Sequence, residues 1–232
     1  MKKSFIYSIL LIPLVLFSCV SGEIANSKDV SQSQIFTKYY VTVDAEAGNV
    51  LYEAVFRFGG AKGTSLILSE PAEIRFNGIL LKGDEKLFTG YHYCKKQSLT
   101  SKNSYEVSYK DYEGEKYINS FSLAPVGIPN FPKSFSKSSS LNLEFSGPPI
   151  GENEYIELSI IDTSGTEVLI NSDEAGSQVL KINSENINNL KTGVCKFRIT
   201  RVYNINQINS PSIGGIFDGR YKSKVYNSLL VN

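Results

Sequence analysis

The chain has 232 residues carrying 24 basic and 23 acidic side chains, a formal charge of +1. That balance excludes the strongly basic face needed to displace counterions from a nucleic acid. Tyrosine (14) and phenylalanine (13) are abundant beside many Val, Ile and Thr, which excludes a disordered stalk and suits pleated, half-buried strands in one large or two small domains.

At the start, Lys2-Lys3 precede an apolar run from Phe5 to Phe17 that ends at Ser18-Cys19. The run is long enough for a signal-peptide core and too short to span a bilayer permanently. Leu16-Phe17-Ser18-Cys19 resembles the lipobox of bacterial lipoproteins. The resemblance implies cleavage of residues 1–18, diacylation of Cys19 and a membrane anchor through that lipid. Val20 after the cysteine implies, by likeness to enterobacterial sorting, the outer membrane. Loss of Lys2 and Lys3 leaves 22 basic against 23 acidic residues, so the mature chain is near neutral. Residues 19–34 are polar without an apolar period and read as a flexible tether, averaging roughly 20 Å end to end.

From Ile35 onward, short β-like runs alternate with turn chemistry: 36–44, 50–58, 64–68, 72–76, 79–82, 87–94, 105–110 and 116–123. In the second, Tyr52, Ala54, Phe56 and Phe58 fall on one face, with Glu53 and Arg57 on the other. Asn77-Gly78 predicts a type I′ hairpin, because both residues tolerate positive φ. Pro125, Pro129 and Pro132 cannot donate to a ladder, so residues 125–133 read as a stiff linker between domains at 35–124 and 134–232.

The second series is 140–145, 155–162, 166–170, 177–182, 194–203 and 221–231, with Asp162-Thr163-Ser164-Gly165 as a tight hairpin turn. Strands at this spacing, with only short helical turns, imply sandwiches or barrels. The passage Ile187–Ile199 resembles the penultimate-strand region of immunoglobulin-like and fibronectin-like bacterial domains. The expected fold is all-β: two tandem immunoglobulin-like antiparallel β-sandwiches after the signal peptide and tether.

Chemistry is sparse. His92 is the single histidine, placed with Cys94 on one strand face, and no further His or CxxC pair completes a zinc site. It reads as a dispensable strand histidine. There is no Gly-x-Ser-x-Gly elbow to present a nucleophile. Cys94 and Cys195 read as free buried thiols rather than a bridge. The acidic turns 44–49 and 111–115 lack EF-hand spacing. Lys95-Lys96 and Lys222-Ser223-Lys224 read as solvated strand ends. Tyr91 with Tyr93, and Tyr105 with Tyr109, would form a ligand-stacking platform if their strands lay side by side on an exposed sheet.

The sequence therefore points to a non-catalytic, lipid-anchored envelope protein with no cofactor and no nucleic-acid partner. Its ligand would be a protein or another envelope or extracellular component. A carbohydrate-binding accessory role and an unfamiliar envelope hydrolase are the alternatives.

Overall fold

The computed structural model describes residues 23–86 and 89–232. Cys19, the cleavage site and Val20 lie outside the described residues.

The first half contributes β1 (Ile24–Asn26), β2 (Ile35–Asp44), β3 (Asn49–Phe58), β4 (Thr64–Ile67) and β5 (Glu73–Phe76). It continues with β6 (Ile79–Leu80), β7 (Lys82–Lys86), β8 (Gly90–Ser98), β9 (Ser104–Lys110) and β10 (Lys116–Ser122). The second half adds β11 (Ser134–Ser136), β12 (Leu141–Glu144), β13 (Glu154–Ile161), β14 (Glu167–Ser172) and β15 (Val179–Ile182). A one-turn helix α1 (Ser184–Ile187), β16 (Gly193–Ile205), β17 (Gly215–Lys222) and β18 (Tyr226–Val231) complete it.

Among the described residues, twelve of these strands form one sheet whose main path runs β1-β4-β3-β2-β17-β16-β13-β14. Alternation sets its two faces. Along β2, Ile35, Thr37, Tyr39, Val41 and Val43 are buried, while Phe36, Lys38, Tyr40, Thr42 and Asp44 point the other way and stay partly exposed. The inner face of the first half is covered by a second sheet, β10-β9-β5-β6. Tyr39, Phe56, Phe76 and Tyr109 fill the space between them as a contiguous core. The second half is covered by the β12-β15 pair and α1, over Ile156, Leu158, Ile160, Phe197 and Ile199. The hairpin at Asn77-Gly78 is present, with φ of 47° and 78° at its two central residues, as the dipeptide predicted.

Three expectations are corrected. Residues 23–34 are not a free tether: β1 pairs in parallel with β4, and Ser27 and Gln32 are buried. Gln32 donates to the Ser27 and Val30 carbonyls, and its Oε1 accepts the Tyr112 amide. These local bonds fix a polar segment that shows no apolar period.

Residues 125–133 form no strand, as three prolines dictate, but they are no spacer either. Val126 and Ile128 are buried in the second core, the Ile128 amide donates to the Tyr226 hydroxyl, and Phe131 lies 4.9 Å from the Phe197 ring.

The expected strand 221–231 is two strands broken at residues 223–225, and β17 leaves the second half to pair in parallel with β2. Two cores exist, one per half, but a single sheet runs through both. The thirteen-residue β16 makes this possible. Its first part pairs with β18 and its last part with β17, with Ser223 bonded to Ile199 at the changeover.

Candidate functional site

The four tyrosines singled out by spacing do not form an exposed platform. Tyr93, Tyr105 and Tyr109 are 7%, 3% and 0% exposed, and Tyr91 is half-buried. Tyr91 and Tyr93 belong to β8 of the large sheet, whereas Tyr105 and Tyr109 belong to β9 of the covering sheet. The two pairs face inward from different sheets. Tyr93 makes an edge contact with Phe56 at 5.7 Å, and Tyr109 tilts onto Phe56 at 4.6 Å. The Tyr93 hydroxyl accepts the Leu68 amide at 2.6 Å. Period-two alternation places side chains on a common face without saying whether that face is covered.

The polar face of the large sheet carries the chemistry instead. In register, Tyr40 on β2 stands between Glu53 on β3 and Asp218 on β17, and Thr42 stands beside Arg220. His92 reaches in from β8. These six side chains line a hollow of about 310 Å³. Each is carried by a strand.

Hydrogen bonds set the hollow's polarity. Arg220 grips Asp218 with two donors, Nε to Oδ1 at 2.9 Å and Nη2 to Oδ2 at 3.3 Å, and this fork raises the Arg220 pKa. Glu53 receives His92 Nδ1 and Lys86 Nζ. Burial, reinforced by the Asp218 and Glu53 carboxylates, pushes the Tyr40 phenol up, so it remains a protonated donor. The hollow thus offers a ring, hydroxyl donors, carboxylate acceptors and a guanidinium within one patch.

A second hollow of about 320 Å³ adjoins it on the same face, lined by Glu157, Ser159, Glu167, Lys196, Arg198, Thr200 and Lys222 together with the apolar Ile161, Phe197 and Val225. Arg220 and Lys222 are alternate residues of β17, about 7 Å apart along the strand. Lys222, expected as a plain strand end, is therefore part of this surface. Alternation of Phe217, Gly219 and Tyr221 with Asp218, Arg220 and Lys222 was the available signal for β17.

Among the described residues of the Tyr40 hollow, no hydroxyl is paired with a base. Thr42 and His92 share a hollow, but the second ring nitrogen of His92 faces the Thr89 carbonyl at 3.3 Å rather than a hydroxyl. Among the described residues, no three His, Cys, Asp or Glu side chains converge to hold a metal. The Asp44 turn is used internally. Burial disfavours the Asp44 carboxylate, but the Ala47 amide and the Arg198 guanidinium outweigh it and hold the pKa below its ordinary value. Asp111 is spent likewise on the Glu115 amide. Cys94 and Cys195 are free, and burial raises both thiols.

No protein-family profile matches this sequence, and no curated protein matches it. Among solved structures, a tetra-tandem repeat from the extending region of a large adhesion protein is similar over 84% of this chain and 49% of that one, at 13% identity and a TM-score of 0.27. Fibronectin(III)-like modules of Clostridium thermocellum CbhA are similar over 82% of this chain and 90% of theirs, at 8% identity and a TM-score of 0.25. A solved chain from work on host cell surface retention of a 1.5-MDa bacterial ice-binding adhesin is similar over 85% of this chain and 65% of that one, at 13% identity and a TM-score of 0.25. The chain thus spans about half the length of the adhesion-protein repeat. Likenesses this distant say nothing of ligand or activity.

Proposed function

We propose that this chain is a non-catalytic binding protein of the bacterial envelope, anchored by lipid on Cys19 and presenting the polar face of its large sheet to a ligand. The carrying observation is the pair of adjoining hollows on that one face, built from strands of both halves. Sheet faces and loops present ligand surfaces without an activated nucleophile. The packing of residues 23–34 against the fold leaves only Val20–Gly22 between Cys19 and the first described residue, so the body would sit close to the membrane. The Leu16–Cys19 motif supports the lipid anchor, and Val20 after the cysteine supports an outer-membrane location.

Two measurements test this. Fatty-acid labelling should mark the wild-type chain and not Cys19→Ala. The full chain in detergent, incubated with extracellular and envelope fractions, should retain a component and release it unchanged. Labelling that persists in Cys19→Ala removes the anchor from this reading, and turnover of the retained component overturns the non-catalytic role.

A further inference from the structure

We infer that the two hollows form one extended site for a neutral polysaccharide, with a hexose unit seated at Tyr40 and the chain continuing over Lys222. The inference rests on the binding role proposed above and names its ligand class. A hexose presents an apolar C–H face and a rim of adjacent hydroxyls, each both donor and acceptor. The Tyr40 hollow offers the complement: one ring, the Tyr40 and Thr42 hydroxyls, the Glu53 and Asp218 carboxylates and the Arg220 fork. Carboxylate and guanidinium held side by side can take both roles of a vicinal diol at once, and the Arg220–Asp218 fork is already formed before any ligand arrives. Preorganisation of this kind lowers the ordering cost of binding.

Charge favours a neutral chain over an acidic one. The two hollows together hold four carboxylates (Glu53, Asp218, Glu157 and Glu167) and four cations (Arg220, Lys196, Arg198 and Lys222), no net charge to attract a polyanion, and a uronate at Tyr40 would stand between Glu53 and Asp218. A protein partner is less well served. The Tyr40 hollow is lined by polar side chains alone, and in the second hollow Phe197 is fully buried and only the partly buried Ile161 and Val225 stand beside seven polar side chains, fewer apolar anchors than dominate protein interfaces. Continuity gives length. From β8 across β3, β2, β17, β16 and β13 to β14 the face crosses six strand spacings, about 29 Å. That is room for an oligosaccharide rather than a single sugar. The second hollow supplies the Ser159 hydroxyl, the Glu157 carboxylate and the Lys222 ammonium for further units.

The test uses the full chain in detergent against β-glucan, xylan and galactomannan, with alginate as the acidic comparison, and oligosaccharides of graded length by calorimetry. At least one neutral polysaccharide should bind, longer oligosaccharides more tightly than a disaccharide, and alginate at least tenfold more weakly. Tyr40→Ala and Arg220→Ala should each weaken binding at least tenfold, Tyr40→Phe less, at unchanged thermal midpoint. Lys222→Ala should weaken long oligosaccharides while sparing the disaccharide. Should a variant lose its fold, Arg220→Lys, which keeps the charge and loses the fork, decides the point. Binding to no neutral polysaccharide, or binding that these variants leave intact, overturns the inference. A protein partner lost in the same variants overturns it too while leaving the binding role standing. Cleavage of the polysaccharide defeats the non-catalytic reading itself.

Discussion

Arg198 of β16 and Asp44 at the end of β2 lie 154 positions apart and form an ion pair across the join between the two halves. Around them the Ala45 amide donates to the Lys222 carbonyl and the Val225 amide to Glu46. The β2–β3 turn is thereby tied to the β17–β18 turn. Both charges are about a quarter exposed, so the pair should couple by about 1 kcal/mol in a double-mutant cycle of Arg198→Ala and Asp44→Ala. Asp44 titrates below its unfolded value near 4. Its contribution is full above that value and is lost as pH falls through the lower native pKa. Urea midpoints at neutral and strongly acid pH check both statements, and a coupling that persists in acid would contradict the second.

Separate expression of the two halves offers a harsher test. Phe217 of β17 stacks on Phe121 of β10 at 3.6 Å and is almost fully buried in the first core. Residues 23–123 alone would lose this ring and leave β2, a mid-sheet strand, as a bare edge. That fragment should lack amide-proton dispersion alone and regain it when residues 124–232 are added. A folded isolated first fragment would mean that β17 adds little to the first core.

The strands themselves were legible because alternation is local. Tyr52, Ala54 and Phe56 are buried as their spacing indicated, and Glu53 and Arg57 face the other way. The Asn77-Gly78 turn was legible because it needs two particular backbone angles at adjacent positions. Strand neighbours were not. Nothing in residues 215–222 announces parallel pairing with 37–44, since period-two patterns carry no address. The candidate site was invisible for the same reason: Tyr40, Glu53, His92 and Asp218 meet only through that pairing and the β2–β3–β8 ladder. The tyrosine clusters misled because period-two alternation puts rings on one face without telling whether another sheet covers it.

Alkaline solution should unfold the protein through those same inward-facing rings. Burial pushes the Tyr93 and Tyr105 phenols up to about 12, whereas unfolded tyrosine ionises near 10. Native pKa values above the unfolded ones mean that the unfolded state holds fewer protons in this interval, so stability falls as pH rises from about 10 to about 12. Below pH 10 this effect vanishes. The tyrosinate absorbance that belongs to the buried rings should rise in step with loss of structure, as a phase that Tyr105→Phe diminishes. Tyr105→Phe should lessen the alkaline loss, and an unchanged profile in that variant would assign the effect to other groups.

Arg201 should be the most sensitive single charge in the fold. It is fully buried on β16, its Nη1 donates to Glu154 Oε2 at 2.6 Å, and Nη2 donates to the Pro148 carbonyl. Its guanidinium carbon lies 5.7 Å from the centre of the Phe145 ring. Gly147 lets this segment pass close to the proline stretch: its φ is +97°, and a Cβ there would stand 2.4 Å from the Pro125 carbonyl oxygen. The guanidinium thus gathers the 145–154 segment, next to the proline stretch, against the central strand. Arg201→Ala would leave the largely buried Glu154 carboxylate with the Gly151 amide but no cation, and the Pro148 carbonyl without the guanidinium, and removing one partner of such a pair costs about 3–5 kcal/mol. The double replacement Arg201→Met with Glu154→Gln leaves no uncompensated charge and should be less damaging than Arg201→Ala. Urea midpoints of the three proteins decide it. An Arg201→Ala protein within about 1 kcal/mol of wild type, or a double variant worse than the single one, would show that the pair is not what holds this segment in place.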